Sequence, residues 1–244
     1  MNPKISFIIP TLNEEKVIEK LLRNLREIKT IPYEIIVSDG KSTDRTLDIA
    51  RPLADKIVEN ATGQRQTIGQ GRNEGAKAAS GDVLVFLDAD VRVPEPDKFF
   101  QRALAHFADD SMLTGLSGWV RVFPEQESFM DMVGYLILSD WSFYVSNNIF
   151  HVGSTCGELQ IIKTDAFRQL RGYREDLTTV EDKDLFYRLS RIGHTRTDPR
   201  LLVYHTGRRP HKIGWPRLLW TWFYNSLHFT FFDRAHEDEW TVIR

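Results

Sequence analysis

The sequence predicts an α/β fold, with a mostly parallel central sheet and helices on both faces. Short apolar runs at Lys4–Ile9, Tyr33–Asp39 and Val83–Leu87 alternate with segments of helical spacing. These runs are rich in Ile and Val, as strands covered on both faces require. Across the 244 residues there is no internal repeat, low-complexity tract or obvious linker, so one continuous domain, 1–244, is expected.

Taken in order, "KISFII" is a strand that should stop at Pro10. Val17, Ile18, Leu21, Leu22, Leu25 and Ile28 follow at the spacing of an amphipathic helix. "YEIIVSD" is a second strand broken at Gly40, Thr43–Ala50 a short helix, and Lys56–Val58 a short third strand. Small residues at Gly71, Gly75, Ala76, Ala78 and Ala79 suit a helix lying close on a sheet, running into the strand Val83–Leu87. Phe99, Phe100, Ala103, Leu104 and Phe107 mark a helix beyond Pro94 and Pro96.

The second half is less regular. A strand is expected at Gly115–Phe123, then a helix near Glu127–Asn147 and a Gly/Ser/Thr-rich turn before "LQII". A helix at Glu181–Gly193 should be capped by Gly193, and Arg200–His205 reads as a further strand.

The net charge of −2 gives no general affinity for nucleic acid. The single cysteine, Cys156, excludes an intrachain disulfide and fits a reducing compartment; it reads as a small buried residue, not a nucleophile. The N-terminal apolar stretch is too short for a leader and runs into acids. No stretch reaches the roughly 18 apolar residues of a membrane span. The nearest, Leu218–Phe232, is interrupted by Thr, Asn, Ser and His. A cytoplasmic protein is expected, peripheral at the inner face of a membrane at most.

Ligands of an open parallel sheet sit beyond the carboxyl ends of its strands. Here those ends are Pro10-Thr11, Asp39-Gly40 and Asp88-Ala89-Asp90. Asp88 and Asp90, two apart, would share a face if the strand continued. Two such acids call for a cation or a donor-rich ligand, and a hard divalent ion held by carboxylates and phosphate oxygens suits them. On the helix at 181–193, Leu185, Phe186, Leu189 and Ile192 define an apolar face; Asp182 falls within it, Glu181 at its edge and Asp184 on the far side. An inward aspartate at a helix N-terminus can accept a proton from an attacking hydroxyl or simply complement the helix dipole.

"IIPTLNEE", "IIVSDGKSTDRT", "GRNEGAKAASGD" and "VLVFLDAD" occur in that order, followed by "VEDKDLFYRL". Together they resemble inverting family 2 glycosyltransferases of the GT-A fold, over roughly residues 4 to 209. The resemblance implies a Rossmann-like nucleotide-sugar half at 1–110 and an acceptor-side elaboration at 111–209, leaving an aromatic-rich C-terminal segment at 210–244. It implies a nucleoside-diphosphate sugar as donor, a glycan, lipid-linked or small-molecule acceptor, and a divalent cation, Mn2+ or Mg2+.

By the same resemblance, Pro10, Thr11, Asn13 and Glu14 line the base and ribose pocket, and Asp39 faces the nucleobase. From the residues alone, Asn13 and Glu14 suit helix capping and Asp39 a turn. Arg72 approaches the phosphates or holds the first aspartate of the pair. Asp88 contacts ribose and metal, beside Ala89, and Asp90 binds the metal directly. His205 completes the metal shell or touches the diphosphate. Arg208 and Arg209 clamp the diphosphate or form a solvated loop. Asp182 is the general base, with Glu181 orienting the acceptor, and Gly157 and Glu158 contact it. Arg92 has no assigned partner; Asp90 and a phosphate are both within reach.

The C-terminal aromatics, from Trp215 to Phe232, follow Arg208, Arg209, His211 and Lys212 and suit a membrane surface, a homodimer or core packing. Two other readings compete. A haloacid-dehalogenase-type phosphohydrolase would use Asp88 as nucleophile, but its acidic pair normally ends the first strand. A nucleotide-sugar binding module without turnover would not need both Asp90 and Asp182.

Overall fold

The computed structural model describes residues 3–62 and 65–232, with side chains omitted at 138, 139 and 226–232. Of the C-terminal aromatics, the side chains of Phe229, Phe231 and Phe232 therefore lie outside the described residues, as does the chain from 233 onward.

The strands are β1 (Ile5–Thr11), β2 (Tyr33–Asp39), β3 (Lys56–Glu59), β4 (Val83–Leu87), β5 (Leu113–Val122), β6 (Leu159–Lys163) and β7 (His194–His205). They form one sheet in the order β3-β2-β1-β4-β6-β5-β7. All neighbours are parallel except β6, which runs antiparallel to both β4 and β5. The sheet is thus mostly parallel, as expected.

Alternation along β1 sets the two layers. Ile5, Phe7 and Ile9 enter one cluster with α1 (Ile18–Leu25) and α4 (Pro96–Asp109). Ile8 enters the other, with α3 (Ile68–Lys77), α7 (Thr164–Gln169) and α8 (Glu181–Ser190). The small residues of α3 are needed there: a Cβ on Gly75 would lie 2.5 Å from Ile8 Cγ2.

Several boundaries depart from expectation. β1 runs through Pro10. Thr11 O accepts from Gly40 on the β2 side, so Pro10 presents its missing N–H towards β4, whose pairing ends at Ile8. The helix expected near 127–147 is three pieces: α5 (Phe129–Gly134), a π-helical stretch (Tyr135–Trp141) and α6 (Ser142–Asn148). Inside the π stretch Asp140 is fully buried, accepting from Arg121 and from Val120 N–H.

Gly193 is not the cap of α8. The helix ends at Ser190 with a right-handed Arg191, and Gly193 serves close approach, since a Cβ would sit 2.4 Å from Met112 O. Asp184, expected on the far side of α8, is buried: Arg188 pairs with it at 2.7 Å and donates to Leu170 O and Gly172 O. The helix is covered on two sides, so a one-face reading of its wheel fails.

The chain leaves β1 for β2 on one side, and β4 returns on the other. The loops after β1 and β4 therefore part at a topological switch point, where a crevice opens.

Candidate active site

A cavity of about 370 Å³ occupies that crevice. From the end of β1 come Pro10, Thr11 and Glu14; from the end of β4 come Asp88, Ala89 and Asp90. Glu158 precedes β6, His205 ends β7, and Arg208 and Arg209 open α9 (Arg208–Ile213). Ten of the residues singled out in the sequence thus meet in one place.

Asp90 is almost fully buried, and its Oδ2 accepts from Arg208 Nε at 3.0 Å and from Thr206 Oγ1. Burial works to raise its pKa, but Arg208, His205 and Thr206 outweigh it and hold the carboxyl below its ordinary value. Arg208 also donates from Nη1 to Glu14 Oε2 at 2.9 Å. The His205 ring packs edge-on to Tyr135, centroids 5.1 Å apart. Its Nε2 is buried without a hydrogen-bond partner among the described residues.

Arg72, on α3, lies beneath the cavity with 1% exposure. It donates to Asp88 Oδ1 at 3.2 Å, Glu181 Oε1 at 3.0 Å and Gly157 O at 3.1 Å, and its guanidinium stands 5.4 Å from the centre of the Tyr173 ring. A Cβ on Gly157 would meet Arg72 Nη2 at 2.7 Å, so a larger residue there would have to displace the guanidinium. Arg72 thereby joins the end of β4 to the start of α8.

Asp182 does not line the cavity. It is half-buried beside that cluster, and its Oδ1 accepts from Lys183 N at 2.8 Å. Burial raises its pKa and that of Glu181; Glu158 adds to the rise at Asp182 and Asp182 to that at Glu181, while Arg72 pulls both back. Val180, just before the helix, is left-handed at φ 59°, a strained state for a β-branched residue.

Asp39 forms the turn that its residues suit, and Asn13 braces the same loop. Asn13 Oδ1 accepts from Thr43 N, and its own N–H goes to Ser42 Oγ. Asp39 accepts from Thr11 Oγ1, Lys41 N, Ser42 N and Ser42 Oγ. Neither residue lines the cavity, which takes Ser38 and Gly40 from either side of Asp39. Asn13 and Glu14 are not side-chain helix caps, since α1 begins after Val17. Arg92 meets neither Asp90 nor the cavity: its guanidinium stands 4.8 Å from the Phe123 ring centre and 5.5 Å from that of Tyr204.

Sequence reading missed Thr67, Tyr135 and Trp222, which also line the cavity. Thr67 carried a signal, the capping-box spacing to Gln70, and that box forms. Tyr135 carried none, and Trp222 stood among the C-terminal aromatics, whose readings did not include this cavity.

A sequence profile described as Glycosyl transferase family 2 matches residues 6–145. A glucuronosyltransferase of Methanococcus voltae that acts on a dolichyl phosphate sugar is 34% identical over 51% of this chain and 41% of its own length. The succinoglycan biosynthesis protein ExoA of Rhizobium meliloti is 26% identical over 85% of this chain and 65% of its own. The chain thus spans about two-fifths and two-thirds of these relatives. Among solved structures, a mannosyltransferase from Pyrobaculum calidifontis in complex with GDP-Man and Mn2+ superposes with a TM-score of 0.68 at 23% identity, covering 84% of this chain and 57% of that one. Staphylococcus aureus TarS gives 0.64 at 21%, covering 85% and 62%. These neighbours share the GT-A arrangement of sheet and helices. With more than half of its length matched by the profile, the chain belongs to glycosyl transferase family 2.

Proposed function

We propose that the chain transfers a sugar, with inversion, from a nucleoside-diphosphate donor in the switch-point cavity to an acceptor hydroxyl approaching from the α8 side. The observation that carries this is the convergence of Asp88, Asp90, His205, Arg208 and Arg209 on one cavity, with Asp182, whose carboxyl burial raises above its ordinary pKa, on the neighbouring α8. Asp182 takes the hydroxyl proton as the acceptor oxygen bonds to the anomeric carbon. The bond from that carbon to the diphosphate breaks, and its electron pair leaves on the phosphate oxygen, which Arg208 and Arg209 receive. Arg72 fixes Glu181 so that it can orient the acceptor.

Whether these residues suit a divalent cation can be judged from their donors. Among the described residues no three His, Cys, Asp or Glu side chains gather closely enough to hold a metal ion by themselves. Asp88, Asp90 and the unpartnered His205 Nε2 nevertheless line one cavity, and such a partial set suits an ion that takes its remaining ligands from a diphosphate. A bound Mn2+ or Mg2+ would be held by Asp90, His205 and Asp88 and would neutralise charge on the departing diphosphate. In the phosphohydrolase alternative Asp88 would attack phosphorus, yet Arg72 ties up its Oδ1.

The outer face of α9 and α10 (Trp215–Phe232) supports an acceptor met at a membrane. Lys212 and Arg217 are exposed there, followed by Trp220 at 67% and Phe223 at 59% exposure, with ring centroids 6.2 Å apart. No described helix is long and apolar enough to cross a membrane. Co-sedimentation with anionic vesicles should fall when Trp220 and Phe223 become serine. If the substitution changes the oligomeric state instead, the face serves a homodimer.

The parent reading is tested by thermal shift with UDP, GDP and dTDP, each with and without Mn2+. A ligand that binds only the folded chain raises Tm. A shift that grows with Mn2+ is expected for at least one nucleotide; no shift with any of them would overturn the proposal.

A further inference from the structure

Arg208 lines the cavity between Asp90 and Glu14. It opens α9 directly after Gly207, which is left-handed at φ 64°, and its side chain is 25% exposed. Nε donates to Asp90 Oδ2 at 3.0 Å, Nη1 to Glu14 Oε2 at 2.9 Å, and Nη2 lies 3.4 Å from Glu14 Oε1. The guanidinium therefore bridges the carboxylate after β4 and the carboxylate after β1. Asp90 already has a cation at its side, within the cavity where His205 Nε2 lies buried and unpartnered.

A side-chain cation and a divalent ion on one carboxylate repel each other, and strongly where water is scarce. A diphosphate alters the balance. It brings several negative charges and offers the planar guanidinium a two-pronged acceptor in place of Asp90. We propose that Arg208 makes divalent-cation binding conditional on the diphosphate: it is the counter-ion of Asp90 and Glu14 in the donor-free protein and transfers to the phosphates when donor and cation enter together. This deepens the cation and donor reading above and rests on it.

The coupling is reciprocal, so the cation also favours the diphosphate by the same factor. Its signature is a pair of opposite changes. Removing Arg208 strengthens binding of the cation alone and weakens binding of the nucleotide. A residue that merely supported the loop would weaken both when lost.

The test is Mn2+ binding to the full chain and to Arg208→Gln, by calorimetry and by the electron-spin signal of free Mn2+, alone and at saturating UDP or GDP. Arg208→Gln should bind Mn2+ alone on the order of tenfold more tightly, with a smaller gain from nucleotide. Arg208→Lys, which keeps the charge and loses the fork, should fall between. If the unsubstituted protein binds Mn2+ with nucleotide but Arg208→Gln binds Mn2+ alone no more tightly, the proposal is wrong and the cation reading stands. If Mn2+ binds the unsubstituted protein under no condition, the cation reading falls and the proposal with it. Should Arg208→Gln fail to fold, Glu14→Gln removes one of the two carboxylates that share the guanidinium, leaves Arg208 to Asp90, and should weaken binding of Mn2+ alone while enlarging the gain from nucleotide; unchanged or tighter binding there also overturns the proposal.

Discussion

At the end of β4, Asp90 is enclosed by Arg208, Thr206 and His205, and its carboxyl is held below the ordinary range. At the start of α8, Asp182 takes one backbone N–H, from Lys183, and burial lifts its carboxyl above that range. Both are acids beside the same crevice, yet their surroundings act in opposite directions. A group that must stay charged is given cations and donors; a group that must gain a proton is left few of either. The difference lies in how many donors the fold aims at each carboxylate.

The strongest way to break this comparison is Asp182→Asn. Sugar transfer should fall by about 10²–10⁴-fold, the range of general base catalysis, while nucleotide affinity stays within about twofold. A variant that still transfers sugar at full rate would remove Asp182 from the chemistry.

The pH profile of kcat/KM comes next. The base works deprotonated, so rate is lost as pH falls through its pKa, by about tenfold per unit. Because that pKa is raised from the ordinary 3.8, the acidic limb should lie above pH 4. A limb at or below the ordinary value would assign it to an unperturbed carboxylate.

Asp90→Asn tests the other side. Mn2+ affinity in the presence of nucleotide should fall by more than about tenfold, as changes at metal sites do, and equilibrium titration reads it. Transfer that remains cation-dependent with unchanged affinity would place the cation elsewhere.

The smallest effect on activity should come from Glu34, a buried acid at the far end of the sheet. Ser6, Ser80 and Lys56 surround it and outweigh burial, holding its carboxyl at about 2. Its folded pKa is depressed, so its contribution is present above about pH 4.5, the unfolded value, and lost as pH falls towards 2. Glu34→Gln should cost about 2 kcal/mol in denaturant unfolding near pH 7 and leave kcat/KM unchanged. A comparable loss of turnover would show that the two ends of the sheet are coupled.

The regular half of the fold was legible because its strands are apolar on both faces and its helices carry one stripe. Where an element is covered on more than one side, that logic fails. Asp184 looked solvent-facing on a helical wheel, but the turn at Leu170–Gly172 and Arg188 cover it. Pro10 looked like a strand end, though β4 simply stops pairing before reaching it. Arg92 had no legible partner, because its aromatic neighbours come from β7 and the residue after β5. The break at Tyr135–Trp141 left no mark in the apolar periodicity, since it is associated with one buried acid and an arginine on β5.

By itself the sequence determined that polar strand ends carrying Thr11, Asp39, Asp88 and Asp90 gather on one edge of a parallel sheet. Alternation and strand direction are local properties, readable from neighbouring residues. Only the tertiary structure decided which acid faces which cation. Arg72 meets Glu181 across 109 residues, and Arg208 meets Asp90 across 118. Such pairings depend on strand order and on how far each crossover carries the chain, which no local pattern encodes. The charge state of each acid is set by those distant partners, so one Asp became a counter-ion's anchor and another a candidate base.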